Sequence, residues 1–186
     1  MLLFRRRYAI LEGNDPAPLK PELRKENAAV THDEIMNLIN RSLFASIGYT
    51  DAQDRQNIRR VFCVWHKGLG RHLISTNTSS EHVQSLMQHP DACLYFSDDA
   101  AFEGVCLYCR AAAHFEREYK ALLWNDGDEK YYPAGMDDPD YCVLELTAES
   151  GRFYRFDGKG DLSKSDLDAY DAGRDYENGY AKHTQE

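Results

Sequence analysis

The sequence predicts a mainly β domain, an antiparallel barrel of six strands with small helices at its openings. Two observations support this prediction. The apolar runs between residues 42 and 156 are short, rich in β-branched and aromatic residues, and bounded by Gly, Pro, Asp and Asn. The helical patterns between them are few and short, whereas a parallel doubly wound sheet needs a helix after each strand.

Length, charge and cysteine content restrict the class of protein. The chain has 186 residues, which suits one domain, a net charge of -9 and a pI of about 5.2. An acidic surface does not attract nucleic acid or an anionic membrane, so we expect neither as a partner. Five cysteines, an odd number spread through apolar stretches, favour a reducing compartment. No apolar run approaches the roughly 20 residues of a membrane span, and the start lacks the order of a secretory signal. We therefore expect a cytoplasmic protein.

The chain divides into three parts. Residues 1–30 contain three prolines among polar residues, which is typical of an extended arm. Residues 31–156 hold the periodic segments and are predicted to form the barrel domain. Residues 157–186 are polar with little periodicity, which predicts a C-terminal tail.

The barrel domain is predicted to begin with a capped helix. Thr31 stands where an N-cap is expected, and Glu34 follows three residues later as in a capping box. Ile35, Leu38 and Ile39 fall on one face of this helix, which is expected to plug an end of the barrel. Two further short helices are predicted at residues 79–90 and 117–124.

Six segments are predicted to be strands. The connection at residues 67–70, KGLG, is short enough to make the second and third of them a hairpin. The last is either one long strand or a hairpin that bends at residues 149–151. The predicted strands are residues 42–49, 59–66, 71–77, 92–98, 104–115 and 141–156.

The turn at residues 76–80, TNTSS, permits two interpretations. Its hydroxyl groups, with the amides of the helix that follows, could hold a phosphate. Ser and Thr are also favoured N-caps, so the turn could simply begin a helix. Glu81 and His82 stand where a phosphate site would carry a cation; Glu81 would weaken phosphate binding, and His82 could donate one hydrogen bond.

The order of these segments resembles the flavin-binding split-barrel family of pyridoxamine 5'-phosphate oxidases, with their general stress protein and nitroimidazole-resistance relatives. In that family a strand ending in Thr-Asn leads into a Ser-containing turn, a helix that ends before Pro, and an apolar strand. The matching segments here are RVFCV, TNTSSEH and HPDACLYF, followed late in the chain by LLWNDGDEKYYPAGMDDPDYCVLEL. The resemblance covers residues 31–156.

The resemblance implies a six-stranded antiparallel split β-barrel of the FMN-binding type. It further implies a homodimer with FMN in clefts between the subunits. In the relatives the hairpin end occupied here by residues 64–68 borders the flavin ring; Trp65 could stack on the ring and Lys67 could stabilise its reduced form, or both could be ordinary core and surface residues. The cofactor-binding residues implied by the resemblance are Arg60, Val61, Trp65, Lys67, Ser75, Thr76, Asn77, Ser80 and His82.

The function expected from this resemblance is that of an FMN-dependent oxidoreductase, which transfers a hydride through flavin N5 to a small molecule. No catalytic side chain is identified. The alternative is a noncatalytic protein that binds or senses flavin, a deazaflavin or haem on the same dimeric barrel. Cys106 and Cys109 form a C-x-x-C pair, but residues three apart on a strand point to opposite faces. They are therefore interpreted as strand cysteines, and the histidine spacings predict no metal site.

Overall fold

The computed structural model describes residues 30–62, 65–156 and 158–172. Four helices lie within these ranges: α1 (His32–Arg41), α2 (Glu81–Gln88), α3 (Arg117–Leu123) and α4 (Lys164–Ala172). Two 3-10 turns, Asp128–Lys130 and Gly135–Asp137, follow α3. The strands are β1 (Phe44–Thr50), β2 (Gln56–Phe62), β3 (Trp65–Lys67), β4 (Arg71–Asn77), β5 (Asp91–Asp98), β6 (Glu103–His114), β7 (Tyr141–Arg155) and β8 (Gly158–Leu162).

The strands form one antiparallel sheet in the order β2-β1-β5-β6-β7-β4-β3, with β8 paired to β7. The sheet curls into half a barrel, so that β2 and β4, near its opposite edges, line the same cavity. The mainly β antiparallel architecture is therefore confirmed. Within the described residues, no helix combines the length and the apolar character that a membrane crossing requires.

In the part of the chain that the structure describes, the sheet has eight strands instead of the predicted six, because one predicted strand is divided and β8 lies in the predicted tail. Residues 59–66 were expected to form a single strand, but β2 ends at Phe62 and pairs with β1. β3 begins at Trp65 and pairs with β4, near the other edge of the sheet. A local pattern of β-forming residues does not reveal that the chain passes from one edge to the other in the middle of the run.

β7 is a single strand, so the alternative of a hairpin at residues 149–151 is wrong. Its pairing with β6 shifts register between Tyr108 and Cys109, which leaves Glu149 as the extra residue of a bulge. The first half of β7 pairs with β4 and the second half pairs with β8 along the same edge.

The structured part extends beyond residue 156, where the sequence predicted a polar tail. β8 and α4 occupy residues 158–172, and they bury Leu162 and Leu167 in the main core. Two well-spaced leucines are enough to anchor the segment, although they give no strong periodicity in a polar sequence. The predicted arm at residues 1–30 lies, except for its last residue, outside the described residues, as do residues 173–186.

Helix α1 covers one end of the core in the predicted way. Ile35, Leu38 and Ile39 are at most 1% exposed. The predicted capping box is present: the Glu34 amide donates to Thr31 Oγ1 at 3.2 Å, and the Thr31 amide donates to Glu34 Oε2 at 2.8 Å. Arg155 Nη1, at the end of β7, also donates to Glu34 Oε1 at 2.7 Å, which joins the helix start to the sheet.

Glu34 is expected to make stability fall in acid. The Thr31 amide, with Arg155, lowers the pKa of Glu34 from 4.5 to about 2. A carboxyl group whose pKa is lower in the folded state stabilises the fold above pH 4.5, and this contribution is lost as the pH falls toward 2. Because the side chain is 43% exposed, the contribution is about 1 kcal/mol after allowance for solvent screening.

The measurement is the free energy of unfolding by urea at several pH values between neutral and acid. Glu34→Gln is expected to flatten the curve between pH 4.5 and 2 relative to the unmodified protein. An unchanged pH dependence in this variant would show that other carboxylates cause the loss of stability.

Candidate functional site

The main candidate site is a cavity of about 640 Å³ between the two edges of the curled sheet. The end of β2 forms one wall, the end of β4 forms the opposite wall, and the loop after α3 closes the outer side. The lining residues are Arg59, Arg60, Val61, Phe62, Trp65, Ile74, Ser75, Thr76, Asn77, Leu123, Asn125, Asp128, Lys130, Tyr131 and Tyr132.

Six of the nine residues implied by the family resemblance line this cavity together. They come from three strands that are separate in sequence but meet at the opening of the half-barrel: Arg60, Val61, Trp65, Ser75, Thr76 and Asn77. Lys67, Ser80 and His82 are absent from the lining. Lys67 is exposed at the end of the hairpin opposite Arg71, and Ser80 caps α2 without a side-chain hydrogen bond to the helix.

Positive charge predominates along the cavity wall. Arg59, Arg60 and Lys130 line it together with one carboxylate, Asp128. The Arg60 guanidinium lies 4.8 Å from the centre of the Phe44 ring, on the outer side of β2. Arg59, its neighbour on the strand, points to the opposite side of β2 and is close enough to lower the pKa of His82. The wall is therefore suited to an anionic ligand.

Sequence reasoning identified Arg60 but missed Arg59 and Lys130. Arg59 carried a usable signal, because two adjacent arginines on an edge strand present a cation to each side of the strand. No local pattern pointed to Lys130, because it lies 70 residues after Arg60 in the chain. It reaches the cavity through the loop after α3.

The loop that closes the cavity is fixed by aromatic packing and local hydrogen bonds. Tyr132 packs 4.6 Å from the Tyr141 ring, and Trp124 packs 5.4 Å from the same ring. The Asn125 amide donates to Asp128 Oδ2 at 2.9 Å. Burial raises the pKa of Tyr132 to about 12, so its hydroxyl is a neutral hydrogen-bond donor. A wall held in this way is largely formed before any ligand binds.

The turn at residues 76–80 is occupied by another part of the chain. Asp140, just before β7, accepts hydrogen bonds from the Ser79 amide at 2.7 Å and from Asn77 Nδ2 at 2.8 Å. The Thr78 amide donates to the Asp140 carbonyl at 2.8 Å, and the Ser80 amide donates to the Asn77 carbonyl at 3.0 Å. Three amides of this turn therefore already have partners, and one partner is a carboxylate.

His82 lies behind the cavity wall instead of on its surface. Its side chain is 1% exposed, and Nε2 lies 3.1 Å from the hydroxyl of Thr76, which does line the cavity. Burial, with a smaller contribution from the Arg59 charge, lowers the pKa of His82 to about 4. The ring is thus neutral near pH 7 and orients Thr76, whereas the sequence suggested a direct phosphate donor.

A sequence model of the family described as pyridoxamine 5'-phosphate oxidase like matches residues 31–164. No curated protein matches the chain.

Solved structures give the same fold. A Clostridium acetobutylicum protein related to general stress protein 26, of the pyridoxine phosphate oxidase family, is 34% identical with a TM-score of 0.66, and the match covers 74% of this chain and 99% of that one. General stress protein 26 of Bacillus anthracis is 13% identical with a TM-score of 0.59, covering 71% and 97%. A heme-binding protein of Mycobacterium smegmatis is 18% identical with a TM-score of 0.60, covering 78% and 61%.

Proposed function

The chain belongs to the pyridoxamine 5'-phosphate oxidase-like family, and on this premise we propose that it is an FMN-dependent oxidoreductase whose cofactor occupies the cavity between β2 and β4. The observation that carries the proposal is the joining of three cations and several aromatic side chains in one cavity of about 640 Å³. Cofactor sites commonly have volumes of roughly 300–1,000 Å³ and combine apolar walls with a few polar groups. The family commonly binds flavin.

The charged residues of the cavity fit the flavin phosphate. A phosphate monoester carries close to two negative charges and forms its strongest hydrogen bonds with cations. Arg59 and Arg60 reach the cavity from opposite sides of the edge strand β2, and with Lys130 they supply the positive charge. The side chains of Ser75 and Asn77 supply neutral donors. Because the amides of Thr78, Ser79 and Ser80 already have partners, the proposal assigns the phosphate to side chains of the cavity and not to that turn.

The apolar residues of the cavity fit the flavin ring. Val61, Ile74 and Leu123 are buried, and Trp65 offers a half-buried aromatic face. The pairing of β4 with β3 covers only Arg71 to Leu73, so the described neighbours leave the edge of β4 from Ile74 onward beside the cavity. Bound FMN supplies a hydride donor and acceptor at N5; the protein would supply position, exclusion of water and charge.

A homodimer is part of the proposal. Family membership favours it, and β1 and β2 expose apolar side chains on one side of the sheet. Phe44, Ile58 and Phe62 are 43%, 80% and 56% exposed, and a patch of this kind commonly marks a protein contact. A second copy of the chain is the proposed partner, and monomeric behaviour in sedimentation equilibrium would contradict it.

Haem binding has less support than flavin binding, because the described histidines are not placed to bind haem iron in the cavity. His66 is bonded to Asn40 at 2.8 Å, and His72 Nε2 lies 3.0 Å from the Leu69 carbonyl. None of the described residues that line the cavity is a histidine, so the cavity offers no imidazole as an axial ligand. A noncatalytic flavin-binding protein remains the second candidate, because none of the described residues that line the cavity is assigned a role as general acid or base.

The proposal is tested by the absorption spectrum of the purified protein and by titration with FMN. We expect flavin absorbance, or quenching of FMN fluorescence on titration to one FMN per chain, because the cavity offers charge and stacking surfaces together. Anaerobic addition of NADH or NADPH is expected to bleach the bound flavin. A protein that gains no flavin under these conditions would disprove the proposal, whereas bound flavin that no nicotinamide donor reduces would favour the noncatalytic candidate.

A further inference from the structure

Helix α4 is attached to the turn of the β3–β4 hairpin through one carboxylate. Asp171 Oδ1 accepts a hydrogen bond from the Leu69 amide at 2.9 Å, and Asp171 Oδ2 accepts one from the Gly70 amide at 2.8 Å. These two amides lie 102 and 101 residues earlier in the chain. Both oxygen atoms of one carboxylate therefore hold two consecutive amides of the turn.

We propose that Asp171 is a positioning residue that holds the β3–β4 hairpin so that Trp65 keeps its place on the cavity wall. Trp65 is the first residue of β3 and lines the cavity. For ligand binding the inference rests on the proposed function, which assigns Trp65 to the flavin ring. The match to the family model ends at residue 164, so Asp171 lies outside the matched part of the chain.

The turn is shaped to receive the carboxylate. Gly68 has a φ of 65°, in the left-handed region that glycine adopts without strain, and this conformation lets the chain reverse within a few residues. Gly70 leaves the space that the carboxylate fills, because a Cβ there would lie 2.7 Å from Asp171 Oδ2. The contact thus depends on a residue without a side chain at this position.

Helix α4 is fixed by contacts other than the one with the turn. Leu167 is 0% exposed and belongs to the main core, and Tyr170 packs against the same core. The Tyr170 hydroxyl also donates a hydrogen bond to Asp33 Oδ1 of α1 at 3.1 Å. Asp171 is therefore carried on an anchored helix, from which it can hold the hairpin in place.

Strand β3 has few other attachments. It is three residues long, stands at the end of the strand order and pairs only with β4 among the described strands. His66, its middle residue, is bonded to Asn40 of α1 at 2.8 Å. A short strand at an edge opens more easily than the centre of a sheet. A clamp at the turn is therefore expected to limit the movement of β3.

Trp65 connects the hairpin to the cavity. Its side chain packs against the buried residues Leu73, Leu123 and Val143, and it lines the cavity together with Leu123. Trp65 stands three residues before Gly68, so a displacement of the turn is transmitted along a very short strand to the indole ring. Release of the turn should therefore change the surroundings of Trp65 and the fit of a planar ligand beside it.

The first test is fluorine NMR of the complete protein labelled with 5-fluorotryptophan. The sequence has two tryptophans, Trp65 and Trp124, so two signals are expected, and Trp65→Leu assigns them. Asp171→Asn should shift or broaden the Trp65 signal, because an asparagine offers one acceptor oxygen to the two amides. The Trp124 signal should stay unchanged and serves as the internal control.

A second variant breaks the same contact from the other side, and a neighbouring aspartate provides the control. Gly70→Ala leaves Asp171 in place, but its Cβ would displace the carboxylate, so the Trp65 signal should change as in Asp171→Asn. Asp168 lies on the same helix, is 63% exposed and pairs with Lys164 at the surface. Asp168→Asn should leave both tryptophan signals as they are.

The second test is fluorescence titration with FMN in two backgrounds. Asp171→Asn should weaken FMN binding about fivefold, within the range that an aromatic stacking contact contributes. In the Trp65→Leu background the same substitution should change the affinity by less than about twofold, because the ring that it positions is gone. Riboflavin should show the same pattern as FMN, since the contact involves the flavin ring.

Three outcomes would overturn the inference. The Trp65 signal could be the same in the unmodified protein, Asp171→Asn and Gly70→Ala. Both tryptophan signals could change to the same extent, which would indicate a general loosening of the fold. Asp171→Asn could also weaken FMN binding equally with and without Trp65. If the unmodified protein binds no FMN, the proposed function is wrong, and the fluorine spectra still decide whether Asp171 positions Trp65.

Discussion

FMN should bind about a hundredfold more weakly when Arg59 and Arg60 are both replaced by glutamine. Each arginine of the cavity wall can contribute a charge-assisted hydrogen bond worth roughly 1.5 kcal/mol when partly exposed, which corresponds to about tenfold in affinity. The measurement is fluorescence titration with FMN. Of the single variants, Arg59→Gln should have the larger effect, because the Arg60 guanidinium also packs on the Phe44 ring.

Riboflavin and a surface arginine provide the controls. Riboflavin lacks the phosphate, so its affinity should differ little between the unmodified protein and the double variant. Arg110→Gln removes an arginine that is half-exposed on β6 and pairs with Asp91, outside the cavity, and it should bind FMN normally. Equal losses for riboflavin and FMN would show that the arginines support the fold of β2 instead of the phosphate.

Replacement of Asp140 by alanine is expected to destabilise the protein by about 2 kcal/mol. The Asp140 carboxylate accepts hydrogen bonds from the Asn77 side chain and the Ser79 amide. These bonds lower the pKa of Asp140, and the bond from Asn77 has the largest effect. Without it, the turn between β4 and α2 loses its attachment to the start of β7. The measurement is the free energy of unfolding by urea at neutral pH, where the carboxylate is charged.

The matched control for Asp140 is Asp137→Ala. Asp137 is 78% exposed and pairs with Arg117 at the surface, so its loss should cost less than about 1 kcal/mol. FMN affinity should also fall in Asp140→Ala, because Asn77 loses its anchor beside the cavity. Tighter FMN binding in this variant would mean instead that the freed amides hold the phosphate and that Asp140 competes with it.

Local signals allowed much of the chain to be predicted from sequence. The Thr31–Glu34 capping box and the apolar face of α1 depend on contacts within a few residues, and both are present as predicted. The hairpin of β3 and β4 also depends on a short connection, and the pairing of Trp65 with Leu73 confirms it. Family resemblance added the grouping of Arg60, Trp65 and Asn77, which lie on three different strands.

Contacts between residues far apart in the chain could not be predicted from the local sequence pattern. Asp140 occupies a turn 61 residues earlier in the chain, and nothing in TNTSS indicates that its amides are taken. Lys130 reaches the cavity through a loop without periodicity. The same limit applies to α4, where Asp171 accepts hydrogen bonds from the amides of Leu69 and Gly70.

The cysteines separate what the sequence determined from what the tertiary structure decided. The sequence by itself determined that Cys106 and Cys109 face opposite sides of a strand, because the side-chain repeat of two residues is a local property. Only the tertiary structure decided that Cys93 is the neighbour of Cys106, since this depends on the register of β5 against β6. Register is fixed by which faces of the whole sheet are buried, and a shift of one residue would have turned Cys93 into the core.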